Sequence, residues 1–450
     1  MLSGLLAGYL FLLIFRPYEY WPILGTFRIE RIYVIAFLLF VLVSKEKRWI
    51  QSPINVCVGA FVVVLMVSGT LAFNMEESWS LIIDYLKYVV FYALVILTIR
   101  DTVSLKNVLL AYLAVMFLYV WKSAWEFFVH GRFIYTMGIK RMIGVDVTYG
   151  DPNSFAASIC YSLPLLWAML RYNFENKWLK IGFWCYGALA VVAIAFTGSR
   201  SGMAALVLFL VVAGIGSSRK VIGVLFMALL MFLGWDFLPE DLQTRFFSTV
   251  ESGHGPASAD ESAAGRLAGF LQGLDVFAKY PILGIGPANF QFSWPGLPRG
   301  HNAHNVFGQI LGELGIVGTM TFAFLIMTVF LTNRRIVARA RRLFPGCDQN
   351  IPKPPKSAGL LRKKRRSDLS SQTGAPPGTK GIGGSVSSNA MQNVRLLVFV
   401  ARAVNMTMML MIFKGWADHN LYRYTWLWLA AITVLNDHFI RQEIRRYGKA

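Results

Sequence analysis

At 450 residues, 56% hydrophobic and only 15% charged, the chain is too apolar for a water-soluble protein, in which about 25% of residues are charged. A net charge of +20 on a soluble chain would point to nucleic acid. The recurring apolar runs of spanning length exclude that partner and make the chain an all-α integral membrane protein, because a spanning helix satisfies its own backbone in lipid.

Twelve spans are expected in chain order, at 2–16, 29–43, 54–73, 82–99, 107–129, 154–170, 179–197, 201–216, 220–235, 304–332, 394–413 and 420–440. Met1 to Phe15 has no charged start and no small-residue cleavage site ahead of Arg16, so the first span is expected to serve as its own insertion signal. With the N-terminus inside, the inner loops carry Lys45, Lys47 and Arg48; Arg100 and Lys106; Arg171, Lys177 and Lys180; Arg219 and Lys220; and Arg441, Arg445, Arg446 and Lys449. The outer stretch 74–81 has no Lys or Arg, and this alternation supports the span count and places both termini in the cytoplasm. The expected divisions are therefore 1–235 for spans one to nine, 236–303 for an outer loop, 304–332 for span ten, 333–393 for an inner linker, 394–440 for spans eleven and twelve, and 441–450 for a tail.

The linker is rich in Pro, Gly, Ser, Lys and Arg, and is expected to be disordered. Its LRKKRR cluster either holds anionic lipid headgroups or is a solvated tether. The cysteines, Cys57, Cys160, Cys185 and Cys347, have no spacing that suggests a disulfide framework or a metal cluster.

Four polar clusters fall on the expected outer face. YGDPNSFAAS, Tyr149–Ser158, opens a span; Asp151 and Pro152 suit a helix start, whereas capping explains Asn153 less well. TGSRSG, Thr197–Gly202, is a tight turn whose Arg200 either snorkels or meets an anion. In the outer loop, Leu267, Phe270, Leu271, Leu274 and Phe277 recur at helical spacing after Arg266, and YPILGIGPANF then breaks the pattern with Pro281, Gly284 and Gly286. The last cluster is HNAHNVFGQILGELGIVG, His301–Gly318, with two histidines ahead of an apolar segment. Its Gly308, Gly312 and Gly315 suit close helix packing, and Glu313 should face protein or water. A final outer turn, FKGWADHNLYR, adds Lys414, Asp418, His419 and Arg423; His419 and Arg423 could face the same cavity or serve only as caps and snorkels.

The outer face offers no carboxylate pair of retaining-glycosidase type, and no H-E-x-x-H set, D-x-D pair or P-loop suggests a metal or a nucleotide. Two arginines and a histidine suit a different task. Guanidinium forks bind a diphosphate, and a neutral imidazole takes a proton from an attacking hydroxyl near neutral pH. Together they describe transfer from a lipid diphosphate.

These motifs resemble the O-antigen ligase and polymerase superfamily over roughly residues 149–318. His304-Asn305, nine residues, then Gly315-Ile316-Val317-Gly318 is similar to its histidine motif; His301-Asn302 also fits, but His304 leaves Glu313 in its customary place. Ser199-Arg200 resembles its Ser-Arg turn, Arg266 with Gly284 and Gly286 its outer-loop arginine and Pro-x-x-Gly-x-Gly, and Asn153 its Asn-bearing helix start. The doubled His-Asn and the basic linker depart from the pattern.

The resemblance implies a GT-C-like fold with a helical periplasmic subdomain in a bacterial inner membrane. It implies metal-independent, cofactor-free, inverting transfer of a glycan from undecaprenyl diphosphate to a lipid or glycan acceptor. His304 would be the base and Arg200 and Arg266 the diphosphate clamp. Asn153, Ser199, Asn305, Gly284, Gly286, His301, His419 and Arg423 would contact substrate, with His301 either a helix-start residue or a support for His304. A repeat-unit polymerase or a protein O-oligosaccharyltransferase would share this chemistry. A transporter of lipid-linked sugar is the different-class alternative, but it should place helix breakers near the midplane in paired halves.

Overall fold

The structure, a computed structural model, describes residues 1–45, 47–136, 138–146, 150–172, 174–215, 239–247, 258–347 and 388–447. Among them, seven helices are long and apolar enough to cross a membrane: Pro53–Thr70, Met75–Thr98, Thr102–Phe128, Pro152–Tyr172, Lys177–Phe196, Val306–Leu343 and Asn389–Gly415. Shorter apolar helices cover Leu2–Ile14 and Arg200–Gly214, and further helices cover Ile29–Val43 and Tyr424–Tyr447. Eleven of the twelve expected segments thus overlie a helix; the segment 220–235 lies outside the described residues. A small antiparallel hairpin, Ile134–Thr136 with Ile139–Arg141, is an addition that periodicity did not suggest.

Local chemistry sets the helix starts. Asn74, Asp101 and Asn176 accept hydrogen bonds from the first-turn amides of Glu77, Ser104 and Trp178, and Ser52 does the same for Ile54 beside Pro53. Asp151 accepts from the amides of Asn153 and Ser154 at 3.0 and 3.1 Å, so it is a cap. Helices Pro152–Tyr172 and Asn389–Gly415 form the centre of the bundle, with 78% and 67% of their spanning windows buried, against 28% for the peripheral Lys177–Phe196. Charges within two of the helices pair, Asp84 with Lys87 and Lys122 with Glu126.

The linker boundary needs correction at both ends. Residues 333–343 continue the helix Val306–Leu343, because Asn333 donates to Thr433 and Arg339 reaches Asp437 at 3.2 Å. Residues 388–393 already belong to the helix Ser388–Gly415. The core of the expected linker, 348–387, lies outside the described residues.

The expected uninterrupted span at 304–332 is broken at Gly315, whose φ of 59° and ψ of −157° suit only glycine. The segment Pro281–Gly286 lies across the break and takes up the freed backbone groups. Ile285 and Gly286 donate to the carbonyls of Gly312 and Glu313, while Ile316 and Val317 donate to those of Pro281 and Ile282. Such a splice pairs the backbone groups that the break frees, as irregular backbone near a membrane requires. Gly315 is therefore a break, not part of a packing stripe; Gly308 does pack closely, against Gly269 and Gly273 of the helix Ser258–Lys279.

One prediction follows from that splice. A Cβ on Gly315 would lie 2.5 Å from the carbonyl oxygen of Ile282, and one on Gly284 2.3 Å from the backbone of Glu313. Alanine at either position is expected to cost at least about 1–3 kcal/mol from backbone strain alone. Thermal unfolding in detergent should show a lowered Tm for both. Gly59→Ala, in open space within a helix, should show no loss.

Candidate functional site

Four chain segments meet at the end of the bundle that carries the start of Val306–Leu343. The first is the turn between Lys177–Phe196 and Arg200–Ile215. Gly198 has a φ of 57°, Thr197 bonds the carbonyl of Ile194, and the fully buried Ser199 accepts from the amide of Gly202 at 3.2 Å. Ser199 is thus a helix cap that places Arg200 at the first turn.

Arg141 of the hairpin locks this turn. Its Nε donates to the Thr197 carbonyl at 2.7 Å and its Nη2 to Asn153 Oδ1 at 3.0 Å. Arg141 is buried, and the sequence reading missed it. Its signal, a cation on the expected outer side, was weaker than that of Arg200, because Lys140 stands beside it. The expected ligand contact at Asn153 is in the structure a bond to Arg141.

The second segment is the helix Ser258–Lys279, seated on Val306–Leu343 through Gly269 and Gly273. It brings Arg266 close enough to Arg200 for the two guanidiniums to repel each other; burial and this repulsion lower the Arg266 pKa, with Asp418 opposing. Guanidiniums are the side chains whose forked donors match phosphate oxygens.

The third segment runs from His301 to Asn305. Asn305 is buried and caps Val306–Leu343, accepting from the amides of Phe307 and Gly308 at 2.9 and 3.1 Å. Its Nδ2 donates to the Trp416 carbonyl, so its role is to tie the helix start to the final turn. His304 takes a φ of 46°, a strained conformation for a non-glycine residue. His301 is exposed, and among the described residues its carbonyl is engaged by Trp294 Nε1 at 2.7 Å.

The final turn, Gly415–Arg423, closes the cluster. His419 stands edge-on to His304 with ring centroids 5.5 Å apart. Asp418 is buried between its neighbours, and Arg423 Nη2 lies 3.9 Å from its Oδ2. Arg423 also reaches Ser158 Oγ at 3.3 Å, and buried Lys414 donates to Ser201 at 2.8 Å. Arg423, expected at the ligand, is buried in structural bonds, whereas His419 is exposed beside His304. Burial would raise the Asp418 pKa, but Arg423, then Lys414 and His419, hold it below the usual carboxylate range.

His304 reads the sum of these charges. Desolvation lowers its pKa, His419 and Arg266 lower it further, and Asp418 and Asp151 oppose them. The result lies below the ordinary imidazole value and leaves a neutral ring at physiological pH.

Gly284 and Gly286 are elsewhere. They sit at the helix break against Glu313 and Ala72, roughly 12 Å along the helix from its start by helical rise. Their glycine character is demanded by the splice, and they do not join the histidine cluster. Glu313 beside them is buried and accepts from Tyr422 at 2.6 Å.

Residues 185–337 match the model of a protein family described as O-Antigen ligase. That span contains Arg200, Arg266 and His304, and leaves out Arg141, Asn153, His419 and Arg423. No curated protein matches the chain.

Proposed function

We propose that this membrane protein transfers a glycan from an undecaprenyl-diphosphate carrier to an acceptor hydroxyl, in the manner of an O-antigen ligase. The observation that carries this reading is the convergence of Arg200, Arg266 and a charge-neutral His304 from three separate segments. In this reading the chain crosses a bacterial inner membrane twelve times with a GT-C-like arrangement. Both termini are cytoplasmic and the cluster is periplasmic. The acceptor is a lipid or a glycan, and the linker cations meet anionic headgroups.

The chemistry is a direct displacement at the sugar C1. The unprotonated nitrogen of His304 takes the proton of the acceptor hydroxyl as its oxygen bonds to C1. The bond from C1 to the carrier oxygen breaks, and its electron pair leaves on the diphosphate. Arg200 and Arg266 neutralise that charge as it forms. Inversion follows from attack opposite the leaving group. No step calls for a metal ion.

The decisive experiment is glycan transfer by the purified chain with a lipid-diphosphate donor in the presence of EDTA. Transfer that continues supports the reading; transfer that stops with EDTA and returns with a divalent ion would sink the metal-independent form. Donor carried across a vesicle membrane without any transfer would favour the transporter.

The pH profile offers a further check. Activity requires neutral His304, so the acidic limb of kcat/KM should fall at a pH below the ordinary imidazole value. Asp418 raises the His304 pKa and His419 lowers it. Asp418→Asn should therefore move the limb to lower pH, and His419→Ala should move it to higher pH. Limbs that stay in place in both variants would mean that another group sets the profile.

A further inference from the structure

The helix Ser258–Lys279 has two opposite faces of different kinds. At 3.6 residues per turn, Gly269, Gly273 and Val276 share one face, which is buried against the start of Val306–Leu343. Leu267, Leu271 and Leu274 share the opposite face and are 58%, 51% and 38% exposed. The apolar stripe read from the helical spacing points away from the protein core. The half-buried Phe270 leaves the stripe and meets Trp416, with ring centroids 5.4 Å apart. Glycines, not leucines, make the contact with the bundle.

The exposed stripe is continuous with the surface of a spanning helix. After Lys279 the chain passes through Ile282, also exposed, whose carbonyl accepts from the amide of Val317, while that of Pro281 accepts from Ile316. From there the exposed side of Val306–Leu343 continues through Ile316, Met320 and Phe324, the side a spanning helix turns to lipid. One apolar surface thus runs from the middle of a membrane helix, across the splice, onto the outer-loop helix. Polar groups flank it: Asp275 and Lys279 are exposed on one side, and Arg266 lies on the other.

We propose that the Leu267–Leu271–Leu274 face is buried in the acyl chains at the edge of the bilayer, so that Ser258–Lys279 is an interfacial helix. An apolar face with charged flanks is the pattern of helices that lie in the headgroup boundary, and a contiguous exposed patch of this kind marks an interaction surface. The bilayer thereby holds Arg266 at headgroup depth, level with a phosphate. This placement needs no transfer activity, and its test does not depend on turnover.

The unmodified full chain suffices for the experiment. It is placed in nanodiscs containing a phospholipid with a photoreactive diazirine in its acyl chain, illuminated, and digested with trypsin. Cleavage after Arg266 and Lys279 releases the stripe as the peptide 267–279, and cleavage after Arg299 and Arg334 releases the membrane-facing control 300–334. Lipid adducts are expected on 267–279 at a level comparable with the control, concentrated on the three leucines. Adducts on the control and none on 267–279 would overturn the proposal. So would adducts on 267–279 that excess unlabelled polyprenyl phosphate removes while the control keeps its own, because a substrate chain would then cover the stripe.

Discussion

Replacing His304 with alanine is expected to lower glycan transfer by about 10²–10⁴-fold, the range lost with a general base, while donor binding and membrane insertion persist. Its strained backbone, its position at the surface beside His419 and its lowered pKa together describe a ring kept free to accept a proton. His301→Ala is the matched control. His301 is exposed and engaged through its carbonyl, so its alanine variant should transfer at close to the normal rate. Purified variants should be compared at saturating donor, with donor binding measured separately. Equal losses at both positions would show that the segment, not one imidazole, is what matters. Normal transfer by His304→Ala would move the search for the base to His419.

The second large effect is expected at the arginine pair. Arg200→Ala and Arg266→Ala should each lower kcat by about 10²–10³-fold, the typical loss of a charge-stabilising donor in a water-poor site. The two guanidiniums repel each other, and a diphosphate held by both would relieve that repulsion. Their losses should therefore combine to much less than the product, as for neighbours acting on one group. Inorganic pyrophosphate should inhibit the wild type in competition with donor and inhibit both variants weakly. Lysine at either position should recover charge but not the forked geometry, and so restore only part of the rate. Independent, multiplying losses with unchanged pyrophosphate inhibition would contradict a shared diphosphate site.

Asn153 and Arg141 raise a different expectation. Their bond ties the hairpin and the start of Pro152–Tyr172 to the Thr197 turn, and Arg200 follows that turn by three residues. Asn153→Ala is thus a loss of positioning, and its effect on transfer should be smaller than that of Arg200→Ala.

The sequence by itself determined the membrane class, the helices and the identity of the three converging residues. Hydropathy is a local property, and each spanning helix closes its own hydrogen bonds, so no distant partner was needed to read Pro53–Thr70 or Met75–Thr98. The cap at Asp151 was legible for the same reason, whereas Asn74 starts its helix seven residues before the expected span. What the sequence left open were roles set by partners far along the chain. Gly284 and Gly286 were read as ligand contacts, and the fold sets both against Glu313, more than two dozen residues later, with the Gly286 amide bonded to its carbonyl. Ser199, Asn305 and Arg423 looked available until Gly202, Trp416 and Asp418 were found bonded to them. Arg141 drew no attention because its partners are Thr197 and Asn153, which only the fold places beside it. Periodicity predicted an amphipathic helix after Arg266, but only the packed glycines showed that its leucines face outward. A side chain's type limits what it can do; only the tertiary structure decides which of its polar atoms are already spent and which remain for chemistry.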